Sequence, residues 1–302
     1  MIIKSIQDLP FPEVRETHPP SKQPFFAQAI GDAWYEKYKA DGKDTLGLAV
    51  PEAGNYRASY AGKRCDRQLW YALSGQESSN ENDLADAWRF ELGHRVHDMA
   101  QEQIPLIWPG AEIEPLVDLT PIGVAGSAHV DAVIEHGGVK TVVEIKSLTG
   151  FPFKKATTTF SGGPEGPKQS AIIQGGLAAR ALGAERLVIV NFALENLSKQ
   201  WADGDNPVTR FAAEWHFLVS DLADLLDYEI ARINSIVTMV ELGEKPSRTI
   251  HDAKEVSQNG WITNPAKGLW VVTNDDEQIL DTGSYWMCKY CEHLETCIED
   301  GA

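Results

Sequence analysis

An α/β fold is predicted by three features of the sequence. Val and Ile alternate with period two on both sides of a Gly-Gly pair in "AHVDAVIEHGGVKTVVEIKS", the signature of a strand, tight turn, strand hairpin. Apolar residues recur at helical spacing in "QSAIIQGGLAARALG" and "DLADLLDYEIARINSIVTMVELG", each ending on a glycine suited to closing a helix. Helical patterns precede the hairpin as well, so helices and strands alternate along the chain.

The elements follow in order. After a Pro-rich start, "FFAQAIGDAWYEKYKADG" predicts a helix ending at Gly42, and residues 1–56 read as an N-terminal helical extension. "SYAGKRCDRQLWYALSG" predicts a helix closed by Gly75, with Leu69, Trp70 and Leu73 as its apolar stripe and Cys65 on it. In "NENDLADAWRFELGHRVHDMAQEQI", Leu84, Trp88, Leu92, Val96 and Met99 form a predicted core stripe, with His97 at its edge. "AEIEPLVDL" predicts a strand before the hairpin. "LTGFPFKKATTTFSGGPEGPK" is glycine-rich and polar, and is expected to be a mobile flap. The 169–183 helix, strands at "RLVIVNFAL" and "TRFAAEWHFLV", the long 221–243 helix and a cysteine-bearing tail complete the chain.

Gly137-Gly138 as a two-residue turn sets His136 against Val139, and the same register sets Asp131 against Glu144 and His129 against Lys146. Directly opposed residues have Cβ atoms about 4.5–5.5 Å apart, where like charges repel unless compensated. Period two also puts Glu144 and Lys146 on one face, with Val143 and Ile145 on the other. Two readings fit: a solvated surface hairpin with a weak ion pair, or two acids, a lysine and a histidine around a hard divalent ion.

The 302 residues are 43% hydrophobic, enough for a sizeable core, and carry a formal net charge of -17. No apolar run is long enough to span a membrane and the start lacks a signal-peptide pattern, so a cytoplasmic protein without membrane contact is expected. The acidic balance excludes generic binding to phosphate backbones. A local basic stripe would be needed, with Lys146, Lys154, Lys155, Lys168, Arg64 and Arg67 as candidates.

Of four cysteines, Cys288, Cys291 and Cys297 form C-x2-C-x5-C, and Cys65 lies far upstream. In a reducing compartment this pattern favours metal over disulfides. An iron–sulfur cube, a zinc site and unrelated buried thiols all stay open.

Together these residues carry a resemblance. G-x-x-x-H at Gly93 to His97, Asp131, E-I-K at Glu144 to Lys146, and Gln174 resemble, in that order, the RecB-like branch of the PD-(D/E)XK nuclease superfamily. Cys65 and the cysteine tail resemble its iron–sulfur members, the CRISPR-associated Cas-four-type exonucleases and the AddB-like helicase-nucleases. The resemblance covers residues 57–298. It implies a restriction-endonuclease-like core with a central mixed β-sheet flanked by helices, and an iron–sulfur region joining an N-terminal helix to the C-terminal tail. The nuclease domain would be residues 57–302, with the iron–sulfur region formed by Cys65 and residues 286–298.

The resemblance also assigns roles. His97, Asp131, Glu144 and the Ile145 carbonyl would hold Mg²⁺ or Mn²⁺. Lys146 would orient the attacking water and stabilise the transition state, and Gln174 would support site and substrate. Cys65, Cys288, Cys291 and Cys297 would hold a 4Fe-4S cluster. The implied activity is metal-dependent hydrolysis of DNA, as an exonuclease on ends or single strands, with recombination, repair or CRISPR adaptation proteins as partners. Ala178 stands where the family often has Tyr, which leaves Gln169 as a substitute for Gln174. His94 and His129 match no motif position and are expected to be structural or to support the site from behind its ligands. Without a G-x-x-x-x-G-K-[ST] motif the chain is not itself a motor. The alternative is a non-catalytic DNA-binding or assembly subunit that keeps the fold.

Overall fold

The computed structural model describes residues 25–41, 54–79, 83–157, 166–195, 207–247, 250–251, 269–270 and 291–300. The chain divides into two compact units, residues 1–44 and 45–302. The first contains α1 (Phe25–Ala40), whose last turn carries Lys37 and Lys39, favourable at a helix C-terminus.

The second unit runs β1 (Tyr56–Arg57), a 3₁₀ turn (Ala58–Gly62), α2 (Asp66–Ser74), α3 (Leu84–Ile107), β2 (Glu112–Ile113), β3 (Leu116–Asp118), β4 (Gly126–His129), β5 (Ala132–His136) and β6 (Val139–Leu148). It continues with α4 (Gly150–Thr157), α5 (Gln169–Ala181), β7 (Arg186–Ala193), β8 (Ala212–Leu218), α6 (Ala223–Leu242), the paired β9 (Ile250–His251) and β10 (Leu269–Trp270), and α7 (Leu294–Glu299). No helix among the described residues is long and apolar enough to cross a membrane.

The main sheet is mixed, in the order β2-β5-β6-β7-β8. β6 and β7 are parallel and the other neighbours antiparallel. The parallel pair needs a crossover, which α4 and α5 supply. Val133, Val142, Leu187 and Ile189 pack with α5 and α6 on one face, and Ala132, Ile134, Val143 and Ile145 pack with Ile104 of α3 on the other. Covered on both faces, β6 has an unbroken buried run from Thr141 to Ile145.

The hairpin register is as expected, His136 against Val139 through Ala132 against Val143, around Gly137 and Gly138, whose φ angles are 63° and 78°. One part of that reading fails. The strand breaks at Val130–Asp131, and β4 joins β1 and β3 in a separate sheet. Asp131 therefore has no pairing with Glu144 in the ladder, and His129 pairs with Leu116, not Lys146, and is exposed. "AEIEPLVDL" splits likewise into β2 and β3, which lie in different sheets.

The predicted core stripe of α3 is also corrected. Trp88, Leu92 and Met99 are 51%, 39% and 57% exposed. The helix is turned by about one position, roughly 100°, and faces the sheet with Gly93, His97, Gln101 and Ile104. A Cβ on Gly93 would stand 3.2 Å from the Ser147 hydroxyl of β6, so glycine permits this close approach. Cys65 does not lie mid-helix, because the helix expected at 59–75 is interrupted and Cys65 immediately precedes α2. Gly75 closes α2 at φ 75°, as expected. Residues 150–157 of the expected flap are helical, and 158–165 lie outside the described residues.

Candidate functional site

Where the β5 and β6 ladder stops, the Ile145 N–H no longer meets a strand partner on that side. The Asp131 carboxylate takes its place, with Oδ2 accepting from Ile145 N at 2.6 Å. A strand residue's N–H and C=O point to the same edge, so the Ile145 carbonyl also lies towards Asp131. Asp131 Oδ1 stands 2.9 Å from His97 Nδ1. A carboxylate only accepts, so Nδ1 carries the proton, and in the neutral ring Nε2 holds the free lone pair. A carboxylate fixing a histidine tautomer is the arrangement that orients metal-ligating imidazoles.

Glu144 sits on the α5 side of β6 and is 1% exposed. Its Oε1 accepts from Lys146 Nζ at 2.5 Å, and its buried Oε2 has no hydrogen-bond partner. Burial pushes the Glu144 carboxyl up to about 7, and the Asp131 charge adds to that push while Lys146 and His97 oppose it. Burial works against the Lys146 ammonium, but the Glu144 charge and hydrogen bond, with Asp131, outweigh it and hold its pKa above the usual lysine value. Lys146 Nζ also donates to Gln174 Oε1 at 3.2 Å. With three donors and two partners named, the ammonium, 32% exposed along its side chain, has an N–H left for a ligand.

Gln174 reaches Lys146 because α5 lies close on the sheet. A Cβ at Gly175 would come within 2.5 Å of Leu187 Cδ1 and 3.4 Å of Glu144 Cβ. It is Gln174, not Gln169, that bonds to Lys146. Ala178 lies one turn later, fully buried in the core, where the larger Tyr would have to displace its neighbours.

Gln101 and Glu114, absent from the sequence reading, belong to this neighbourhood. Gln101 Nε2 stands 3.4 Å from Asp131 Oδ1 and 3.2 Å from Glu114 Oε1. The helical spacing from His97 to Gln101 was the one sequence signal for either. His94, on another face of α3, is exposed.

The basic stripe is corrected in part. Arg64 and Arg67 are each 8% exposed and hold the fold together. Arg64 and Arg232 both pair with buried Glu229, at 3.0 and 2.8 Å, and Arg232 also binds Asp66 at 2.7 Å. Arg67 donates to the Pro246 carbonyl at 2.9 Å. Lys155 and Lys168 are exposed and Lys154 half-buried.

The 291–300 segment is fastened beside α2. Lys63 pairs with Glu292, the Ser79 N–H donates to the Glu292 carbonyl at 2.8 Å, and Tyr71 donates to Asp300 at 2.6 Å. Burial pushes the Cys65 thiol up to about 12, and the nearby Cys291 and Cys297 contribute in the same direction. Cys65 is thus near enough to Cys291 and Cys297 to feel their charge. Cys288 lies outside the described residues. For hard cations, the buried lone pair of Glu144, the Asp131 carboxylate, the Ile145 carbonyl and His97 are the suitable donors. Among the described residues, no three His, Cys, Asp or Glu side chains converge closely enough to hold a metal between them. Lys146, His97, Gln101 and Ile145 instead engage the two acids.

No family model matches the chain, and no curated protein matches it. Among solved structures, SSO0001 aligns over 91% of this chain and 97% of its own, at 15% identity and a TM-score of 0.42. An alkaline exonuclease from Laribacter hongkongensis, LHK-Exo, aligns over 63% of this chain and 89% of its own, at 15% identity and a TM-score of 0.43. The same exonuclease in complex with dAMP aligns over 66% and 94%, at 18% identity and 0.44. Likeness at 15–18% identity and TM-scores of 0.42–0.44 does not extend to chemistry, which rests on the side chains themselves.

Proposed function

We propose that the chain is a divalent-metal-dependent deoxyribonuclease, an exonuclease acting on DNA ends or single strands. The observation that carries this reading is the Glu144–Lys146–Gln174 group on β6 and α5, set beside the His97–Asp131 pair at the break in β5. A buried carboxylate with one unpartnered oxygen, beside a second acid and an ammonium, is costly for stability alone. It suits a reaction that brings negative charge into the site.

His97, Asp131, Glu144 and the Ile145 carbonyl would hold Mg²⁺ or Mn²⁺, the ion replacing the His97–Asp131 hydrogen bond. Bound there, the ion would polarise the phosphoryl oxygen and make water more acidic. Lys146, held by Glu144 and Gln174, turns its remaining N–H to the attacking water or to a non-bridging phosphate oxygen, where charge develops. Gln174 gives the ammonium a second, longer contact at 3.2 Å. Lys154 and Lys155, in the last turn of α4, follow β6 closely in the chain and supply local positive charge on an acidic protein. Cys65, Cys288, Cys291 and Cys297 would hold a 4Fe-4S cluster with a structural role, closing a long loop. Recombination, repair and CRISPR adaptation are the settings such an enzyme fits.

Wild type and Lys146→Ala, purified without oxygen, are incubated with end-labelled single- and double-stranded DNA in Mn²⁺, Mg²⁺ or EDTA. Wild type degrades DNA only with metal, Lys146→Ala does not, and the fate of the label gives polarity. A folded wild type that binds DNA without cutting it would overturn this assignment in favour of a binding subunit.

A further inference from the structure

Asp131 is held by more than His97 and Ile145. Gln101 lies one turn beyond His97 on the inward stripe of α3 and is 9% exposed. Its amide nitrogen stands within reach of two carboxylates, 3.4 Å from Asp131 and 3.2 Å from Glu114. An amide has two N–H groups in a fixed plane, one for each.

Glu114 arrives there through unusual backbone. Among the described residues it is the one non-glycine with positive φ, 50°, a conformation that side-chain-bearing residues adopt at a cost. That turn, directly after β2, lets its N–H donate to the Asp131 carbonyl at 3.2 Å. Residue 114 therefore holds Asp131 twice, through backbone and through Gln101.

The lone pairs of the Asp131 carboxylate can be assigned. His97 and Gln101 take those of Oδ1, and the Ile145 N–H takes one on Oδ2. One Oδ2 lone pair remains. We infer that Gln101, anchored by Glu114, is a positioning residue that fixes the rotation of the Asp131 carboxylate, so that this Oδ2 lone pair alone is offered to an incoming ligand. Its consequence for cleavage rests on the nuclease reading, but the restraint itself does not.

The test is amide hydrogen exchange by NMR in EDTA on wild type, Gln101→Met and Glu114→Ala. Met has similar volume and no donor, and Glu114 is exposed, so at least one variant keeps the fold. The Ile145 amide, bonded to Asp131 Oδ2, is expected to exchange on the order of tenfold faster in Gln101→Met and less so in Glu114→Ala, with Val142 and Val188 unchanged. Unaltered Ile145 exchange, or equal acceleration of all three amides, would overturn the inference. In cleavage assays Gln101→Met should need about 10–100-fold more Mn²⁺ for half-maximal rate, with the saturating rate near wild type. A reduced saturating rate at unchanged Mn²⁺ requirement would count against positioning through Asp131. A wild type that cuts no DNA would instead sink the nuclease reading and leave the exchange data to decide the role of Gln101.

Discussion

Gly175→Ala tests how tightly the fold sets the site. The added Cβ would lie 2.5 Å from Leu187 Cδ1, against an ordinary carbon contact of about 3.5–4.0 Å. Leu187 is fully buried, so turning its Cδ1 aside disturbs the packing around it, and where it stays in place α5 must retreat from the sheet by about 1 Å. Overpacking of this kind costs about 1–3 kcal/mol, and replacing glycine inside a helix returns about 1 kcal/mol. The net stability loss is thus small, about 0–2 kcal/mol. The effect on the site is larger. The 3.2 Å bond from Lys146 to Gln174 would lengthen past hydrogen-bonding distance, and a displacement of about 1 Å lowers turnover on the order of 100-fold. Urea unfolding and initial rates with Mn²⁺ measure the two effects separately. Leu187→Val in the Gly175→Ala background, by shortening the obstructing side chain, should recover much of the rate. Gly176→Ala, whose Cβ meets Leu226 of α6 at 3.0 Å on the other side of α5, serves as control and should leave cleavage intact. Full activity in Gly175→Ala would refute the premise that close approach of α5 holds Gln174 on Lys146.

Three further outcomes follow from the same geometry. Because burial raises the Glu144 carboxyl to about 7 from an ordinary value near 4.5, folded protein binds more protons than unfolded protein between those values. In EDTA, stability should therefore be greatest below about pH 4.5 as far as this group is concerned and fall as pH rises to about 7, by on the order of 3 kcal/mol at most. Glu144→Gln should flatten that dependence in urea titrations, and an unchanged slope would show that Glu144 is not its source. Glu229→Gln would leave the buried Arg64 and Arg232 guanidinium groups without their shared carboxylate, at a cost of about 3–5 kcal/mol, read as a lower urea midpoint. A shift under about 1 kcal/mol would mean those arginines find water. Cys65→Ser, in anaerobic preparations, should lose visible absorbance and iron together, whereas a colourless wild type containing zinc would reassign the cysteine set.

Short-range order was legible in the sequence wherever local pattern decides structure. The Gly137-Gly138 turn, the alternation beside it and the glycines closing α2 and α6 each depend on neighbours within a few residues, and each stands where expected. Glu144, Lys146 and Gln174 came together because strand period and motif order agreed. The errors arose where distant contacts override pattern. In α3 the apolar residues are outside and the inward stripe is glycine, histidine, glutamine and isoleucine, because that face must reach Ser147 and Asp131. The break at Val130 was hidden, since "AHVDAVIEH" alternates without interruption while its two halves join different sheets. Arg64 and Arg67 looked like surface charge because Glu229 and Pro246 are far away in sequence. Gln101 and Glu114 escaped notice for the same reason: what defines them is a shared neighbour, Asp131.

The break at Val130–Asp131 also has a practical use. One end of β5 is pinned there by Asp131 on Ile145, and the chain before it belongs to another sheet. The other end is the Gly137-Gly138 turn, six residues from Asp131 and so about 20 Å away along a strand. A peptide tag or fluorophore spliced between those glycines lengthens the tip without shifting the register at the pinned end. That turn is the place to attach a reporter or a surface tether while leaving the acids, the lysine and the histidine where they are.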